Sequence, residues 1–205
     1  MAEQGTVNPW VVGSSPTSPA MKIIDNFISQ TEQDDFVQYV STPYFPYRLY
    51  STHIYSGAED LLHEHAPLQL SHFLYESESD QASPHLPIIA KFVRQLEKNY
   101  GKIKLLRAKV NLTSPHPPFM NYEHQTPHID LQYDDGSSVD HKVFLYYIND
   151  SDGPTYFFNN QKELTDTVYP KKGRALIFDG SQIHAGSNPV KSPFRFVLNV
   201  DFKVL

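Results

Sequence analysis

The sequence contains no cysteine in 205 residues. That single absence removes disulfides, cysteine-based zinc fingers, iron–sulfur ligation and a thiol nucleophile. Glycine is scarce as well, 9 residues against 16 prolines, while Tyr and Phe number 13 each, a balance that predicts many loops and short strands rather than long helices. No apolar stretch approaches the roughly 18 residues needed to span a bilayer. The N-terminus lacks the charged-then-apolar pattern of a secretory signal. A soluble, cytoplasmic protein with no membrane partner is the expectation. Lys and Arg form no run longer than the pair Lys171–Lys172 and the net charge is −6, so no phosphate-neutralising face is advertised and nucleic acid is not an expected partner.

What is present is ordinary globular material, 40% hydrophobic and 20% charged, enough for one core. Residues 1–20, ending GSSPTSPA, read as a flexible leader, and residues 21–205 as a single domain. MKIIDNF opens that domain with a short strand. Ser29 followed by Glu32 is a capping-box signature, and Phe36, Val37 and Val40 recur at helical spacing, which predicts a helix over about 30–40. Residues 43–80 read mostly as loop, with RLYSTHIY strand-like. Ile88, Ile89, Phe92, Val93, Leu96 and Tyr100 share one helical face ending at Gly101, predicting a helix over 86–100 with a glycine cap.

After Gly101 the period changes from 3.6 to 2. Strands are expected at 102–112, 128–133, 141–149, 154–159, 166–169, 174–179, 182–186 and 194–203, separated by Pro, Gly, Asp and Asn turns. About eight short strands after two helices predict a mainly β fold. Its core, over about 102–205, would be an antiparallel jelly roll, or double-stranded β-helix, buttressed by the N-terminal helices.

Within QTPHIDLQ, His128 and Asp130 stand two apart, and on an extended segment both side chains point the same way. Alone, the pair reads equally well as a polar strand end with a His–Asp hydrogen bond. His184, in DGSQIHAGSNP, changes the balance. Two imidazoles and one carboxylate form the facial triad that holds Fe(II) and leaves coordination positions open. Arg195 follows in SPFRFVLNVDF. An anionic group buried near the metal needs a charge partner, and a guanidinium offers it a bidentate fit.

Four blocks in order then carry a resemblance: RAKVNL, PHID, FLYYINDSDGPTYFF and VYPKKGRALIFDGSQIHAGSNPV. Together they resemble the 2-oxoglutarate/Fe(II) dioxygenase superfamily, most closely its prolyl 4-hydroxylase-like branch. The resemblance implies a dioxygenase that uses Fe(II), O2 and 2-oxoglutarate, with ascorbate as a reductant. It would hydroxylate an unactivated C–H of a peptidyl residue, proline included, or of a small metabolite, releasing succinate and CO2. His128, Asp130 and His184 would be the ligands and Arg195 the anchor for the 2-oxo acid. Two departures stand out. Gly153 to Thr155 occupy the place of the family's Gly-Gly-Glu-Thr, and Val197 stands where some members carry Ser or Thr. A tyrosine hydroxyl is therefore expected beside Arg195, with Tyr147 favoured over its neighbour Tyr146, and Asn111 as a second contact to the co-substrate.

Other suggestive residues read as structural. His63, His65 and His124 are expected in solvent or core, Asp134 and Asp135 in a turn, and Lys171, Lys172 and Arg174 on a solvated turn. Selectivity is expected from residues 43–80, 113–126 and 132–141. The alternative reading is a jelly-roll metal-binding module without catalysis.

Overall fold

The computed structural model describes residues 21–49, 69–115, 124–133 and 136–205. The predicted leader, His63, His65, Asp134 and Asp135 lie outside them. The elements run β1 (Lys22–Ile24), α1 (Gln30–Val40), β2 (Arg48–Leu49), β3 (Gln69–Glu76), β4 (Gln81–Ala82), a 3-10 turn (Leu86–Ile89) and α2 (Ala90–Tyr100). Then come β5 (Ile103–Thr113), β6 (Lys142–Tyr147), β7 (Thr155–Phe158), β8 (Leu164–Val168), β9 (Ala175–Asp179), β10 (Ile183–Gly186) and β11 (Arg195–Val204).

Both helices form where the sequence places them. At α1, Ser29 Oγ accepts the Glu32 N–H while Glu32 Oε2 accepts the Ser29 N–H at 3.0 Å, so two otherwise orphaned donors are satisfied reciprocally. The 86–100 segment begins as a 3-10 turn around Pro87 before becoming α-helical, since proline supplies no N–H to the ladder. Gly101 ends it with φ 80, a left-handed conformation that favours glycine.

The larger sheet has eight strands in the order β1-β9-β6-β11-β5-β3-β2, with β4 paired to β3. The smaller runs β10-β7-β8. Every pairing is antiparallel. Alternation along each strand divides the side chains between two environments. From β6, Phe144 and Tyr146 join the cluster under the helices, where Phe92 lies 4.7 Å from Tyr146 and 5.1 Å from Phe36 between ring centroids. Val143, Leu145 and Tyr147 point the other way, to a second cluster with Phe157, Leu176 and Phe178 between the sheets.

On β5 and β11 the inner positions are polar instead. Arg107 pairs in register with Asp201, Lys109 with Asn199, Asn111 with Val197 and Thr113 with Arg195. Their outward neighbours Ala108, Val110, Leu198 and Val200 are fully buried under the helices. The inner surface is therefore apolar along β6 and β9 and polar along β5 and β11, and that polar half carries the site.

Two local expectations need correction. Residues 128–133 form no strand: His128 and Gln132 make only isolated bridges, to His184 and Ser138. Pro127 cannot donate, and beyond Asp130 the chain turns back on itself through Tyr133 N–H to Ser137 O at 2.8 Å. Conversely, β3 lies in a stretch read as loop. Its inner Gln69 and Ser71 are polar and a register shift interrupts it after Phe73, so no hydrophobic alternation advertised it.

Candidate metal centre

His128 sits on a loop and His184 on β10, and their main chains exchange two hydrogen bonds of 3.0 Å. That bridge fixes the loop, and Asp130 two residues on turns to the same point. One ligand atom from each of His128, Asp130 and His184 lies within 4.8 Å of the others. The imidazole orientations are set by their backbones: His128 Nδ1 faces Thr126 O at 2.9 Å and His184 Nδ1 faces Gln182 O at 3.0 Å. With Nδ1–H donated to a carbonyl, each Nε2 lone pair is left for a cation. His184 Nε2 stands 3.3 Å from Asp130 Oδ2. Three ligands of this type, with no fourth among the described residues, fit a metal that needs open positions.

Around the triad is a buried charge network. Asp130 Oδ1 accepts from Arg107 Nη2 at 2.6 Å, and Asp130 Oδ2 accepts from Asn199 Nδ2 at 3.1 Å. Arg107 Nε donates at 2.8 Å to Asp201 Oδ2, and His141 Nε2 lies 3.7 Å from Asp201 Oδ1. Burial works to raise the Asp130 carboxyl, but contact with His184 and the charges of Arg107 and Lys109 hold it well below the usual range. Burial draws the His128 imidazole down to about 4, with His184 acting in the same direction. Both groups are thus in the metal-binding protonation state at neutral pH. Burial also pushes the Asp201 carboxyl up to about 6, reinforced by Asp130 and opposed by Arg107. The Lys109 ammonium falls to about 8 through burial and the adjacent Arg107.

At the other end of the polar strip, Arg195 is buried. Its Nε donates to Gly153 O at 2.8 Å and its Nη2 to Thr155 Oγ1 at 2.8 Å, which leaves three of the five guanidinium N–H donors unspent. Opposite it, the buried Thr113 hydroxyl has no hydrogen-bond partner among the described residues. Tyr147 stands beside Arg195, whose guanidinium carbon is 5.7 Å from the Tyr147 ring centroid. The Tyr147 hydroxyl reaches Thr155 Oγ1 at 2.8 Å and Val168 O at 3.2 Å. Tyr146 points to the helices, as alternation requires. Asn111 Oδ1 accepts from Ser71 Oγ at 2.8 Å, midway along the strip.

Sequence reasoning brought the triad, Arg195, Tyr147 and Asn111 to one surface. It missed Thr155 as the hydroxyl between Tyr147 and Arg195, although the missing hydroxyl at Val197 signalled that a substitute was needed. It also missed Asn199 and Asp201, and the contacts of Arg107 with Asp130 and Asp201, for which the alternation with apolar residues along β5 and β11 was the available signal. Gly153 is required for close approach: a Cβ there would lie 2.6 Å from Ser187 O. His124 packs on Tyr156 and Phe158, outside the triad. Lys171 and Arg174 pair with Asp25 and Lys172 with Asp34, a surface network as expected.

Residues 118–202 match the model of the 2OG-Fe(II) oxygenase superfamily. That stretch holds all three candidate ligands and Arg195. Over that stretch the chain is similar to the 2OG-Fe(II) oxygenase superfamily. No curated protein sequence matches this chain. Among solved structures it resembles a Trichoplax adhaerens prolyl hydroxylase in complex with a hypoxia inducible factor peptide fragment, at 15% identity and TM-score 0.61, covering 90% of this chain and 83% of that one. A Pseudomonas putida prolyl-4-hydroxylase matches at 13% identity and TM-score 0.57, covering 92% and 94%. The non-heme alpha ketoglutarate dependent epimerase SnoN from nogalamycin biosynthesis matches at 10% identity and TM-score 0.58, covering 90% and 78%. At these identities the likeness establishes the fold, and one fold here carries both hydroxylases and an epimerase.

Proposed function

We propose that this oxygenase hydroxylates an unactivated C–H of a peptidyl residue, proline included, or of a small metabolite. The reaction balances as substrate, 2-oxoglutarate and O2 giving hydroxylated substrate, succinate and CO2. The observation that carries the reading is the pairing of a three-ligand centre with a buried arginine that spends only two of its five donors on Gly153 and Thr155, at opposite ends of one polar strip.

In this reading His128, Asp130 and His184 hold Fe(II), which when bound supplies the oxygen chemistry. Arg195 takes the far carboxylate of 2-oxoglutarate. A divalent metal, Asp130 and a dicarboxylate leave one negative charge, which Arg195 neutralises, and an uncompensated charge would be costly in a buried site. Thr155 accepts from both Arg195 and Tyr147, so its own hydroxyl proton remains to be donated toward the ligand, and Thr113 offers a second hydroxyl opposite. Tyr147 supports this end through Thr155. Asn111, between anchor and metal, offers amide donors to the co-substrate.

The test is succinate release from 2-oxoglutarate by the Fe(II)- and ascorbate-supplied protein, alongside mass spectrometry of peptide and metabolite libraries for products heavier by one oxygen. Metal binding with no 2-oxoglutarate turnover under any substrate would replace this reading with a non-catalytic metal-binding module.

A further inference from the structure

Asp201 is fully buried and is not one of the three residues whose ligand atoms converge. Its Oδ2 accepts from Arg107 Nε at 2.8 Å, and its Oδ1 has no hydrogen-bond partner among the described residues. His141 Nε2 faces that second oxygen at 3.7 Å. The His141 ring lies so close to Gly180 that a Cβ there would come within 2.1 Å of it. A carboxylate taken out of water for one hydrogen bond is costly, and a buried ion pair is a weak source of stability. Its use lies in what it does to its partner.

That partner is shared. Arg107 Nη2 donates to Asp130 Oδ1 at 2.6 Å while its Nε is held by Asp201, so one positive charge serves two carboxylates. Arg107 and Asp201 stand opposite each other in the β5–β11 register, which fixes the pair. Were Asp130 the only acceptor, the guanidinium would cancel the charge of a metal ligand, and a neutralised carboxylate attracts a divalent ion poorly. Lys109 Nζ, 3.9 Å from the same Asp130 oxygen, pushes the same way. With Asp201 ionised, two carboxylates balance Arg107 and Lys109. Without that charge, this end of the strip is left with one net positive charge facing an incoming cation.

We propose that Asp201 is a positioning residue for the metal centre: it draws Arg107 partly off Asp130, so that Asp130 keeps the negative charge that binds the ion. If Asp201 served only to hold Arg107 in place, an asparagine would do as well, because its amide oxygen can accept the same Nε–H.

The inference rests on His128, Asp130 and His184 holding the metal, and its test reads metal affinity rather than turnover. Zn(II) is competed from the full-length protein by a chromophoric chelator, at a pH above about 6 where Asp201 carries its charge. Folding of each variant is checked by circular dichroism. Asp201→Asn keeps the shape and an oxygen for Arg107 but removes the charge. It should bind Zn(II) about tenfold more weakly than the wild type, the low end of the range for losing a group that acts on a ligand. In an Arg107→Met background the same substitution should change Zn(II) affinity by no more than about twofold, because the residue through which Asp201 acts is gone. Should Asp201→Asn not fold, Asp201→Ser is read in the same cycle. Asp201→Asn protein that matches the wild type, or binds Zn(II) more tightly, overturns the inference. So does an equal loss in both backgrounds, which would mean that the Asp201 charge acts on the ion directly. A wild type that holds no zinc overturns the metal centre and the inference with it. Failure of succinate release with Fe(II) would overturn the catalytic reading while leaving the zinc cycle intact.

Discussion

Arg107 Nη2 meets Asp130 Oδ1 at 2.6 Å while Asp130 Oδ2 faces His184 Nε2 at 3.3 Å, so one carboxylate is divided between a protein cation and the metal position. The guanidinium holds the outer oxygen and leaves the inner one aimed at the imidazole. Arg107→Met would leave Asp130 and Asp201 buried without their shared partner. The metal-free variant should lose about 3–5 kcal/mol in denaturant unfolding. Because a divalent ion can then supply the missing charge, the rise in thermal stability on adding Zn(II) should be larger than in the wild type. Equal unfolding midpoints without metal would refute this role.

Arg195 separates an oxygenase from a metal binder. Arg195→Met should retain the metal but weaken 2-oxoglutarate by about 2–5 kcal/mol, as when one member of a buried charge pair is deleted. Lys should rescue only in part, since a point charge cannot reproduce the fork. Titration of the iron–keto-acid charge-transfer band measures it. Equal affinity in the two proteins would move the anchor to Lys109 or Arg107 on β5.

The hydroxyl between Tyr147 and Arg195 predicts an order of effects. Thr155→Val keeps the shape but leaves Arg195 Nη2 short of an acceptor, while the Tyr147 hydroxyl keeps Val168 O at 3.2 Å, at a cost of about 1–3 kcal/mol in 2-oxoglutarate binding. Tyr147→Phe leaves the Arg195–Thr155 bond of 2.8 Å in place and should cost less. The reverse order in the same titration would mean that Tyr147 touches the co-substrate directly.

Acid should weaken the metal-free protein at His128. The His128 pKa falls from 6.5 to about 4 on folding, so the folded state favours the neutral ring. A depressed folded pKa contributes stability that is complete above 6.5 and lost as pH falls from 6.5 through about 4. Chemical unfolding across that window should show a decline that is shallower in His128→Ala. An identical slope in both proteins would show that His128 does not titrate in this way.

Much of this protein was determined by its sequence alone, because the signals are local. Helix α1 is written in Ser29, Glu32 and its apolar spacing, and α2 in six residues on one face and a glycine stop. Tyr147 was separable from Tyr146 because successive strand residues face opposite ways. His128, Asp130, His184 and Arg195 stood out through residue type and order, and the structure brings the first three within 4.8 Å of one another. Tertiary structure alone decided the rest. Residues 128–133 look like a strand but are held by one bridge to His184, a partner 56 positions later in the chain that no local pattern encodes. Strand β3 was hidden because its inner residues are polar and the sheet interior there is a site, where hydrophobic alternation is given up for function. The division of Asp130 between Arg107 and the metal position, with Lys109 at 3.9 Å from the same carboxylate, arises only when β5, β11 and the His128 loop converge, because these residues are far apart in the chain.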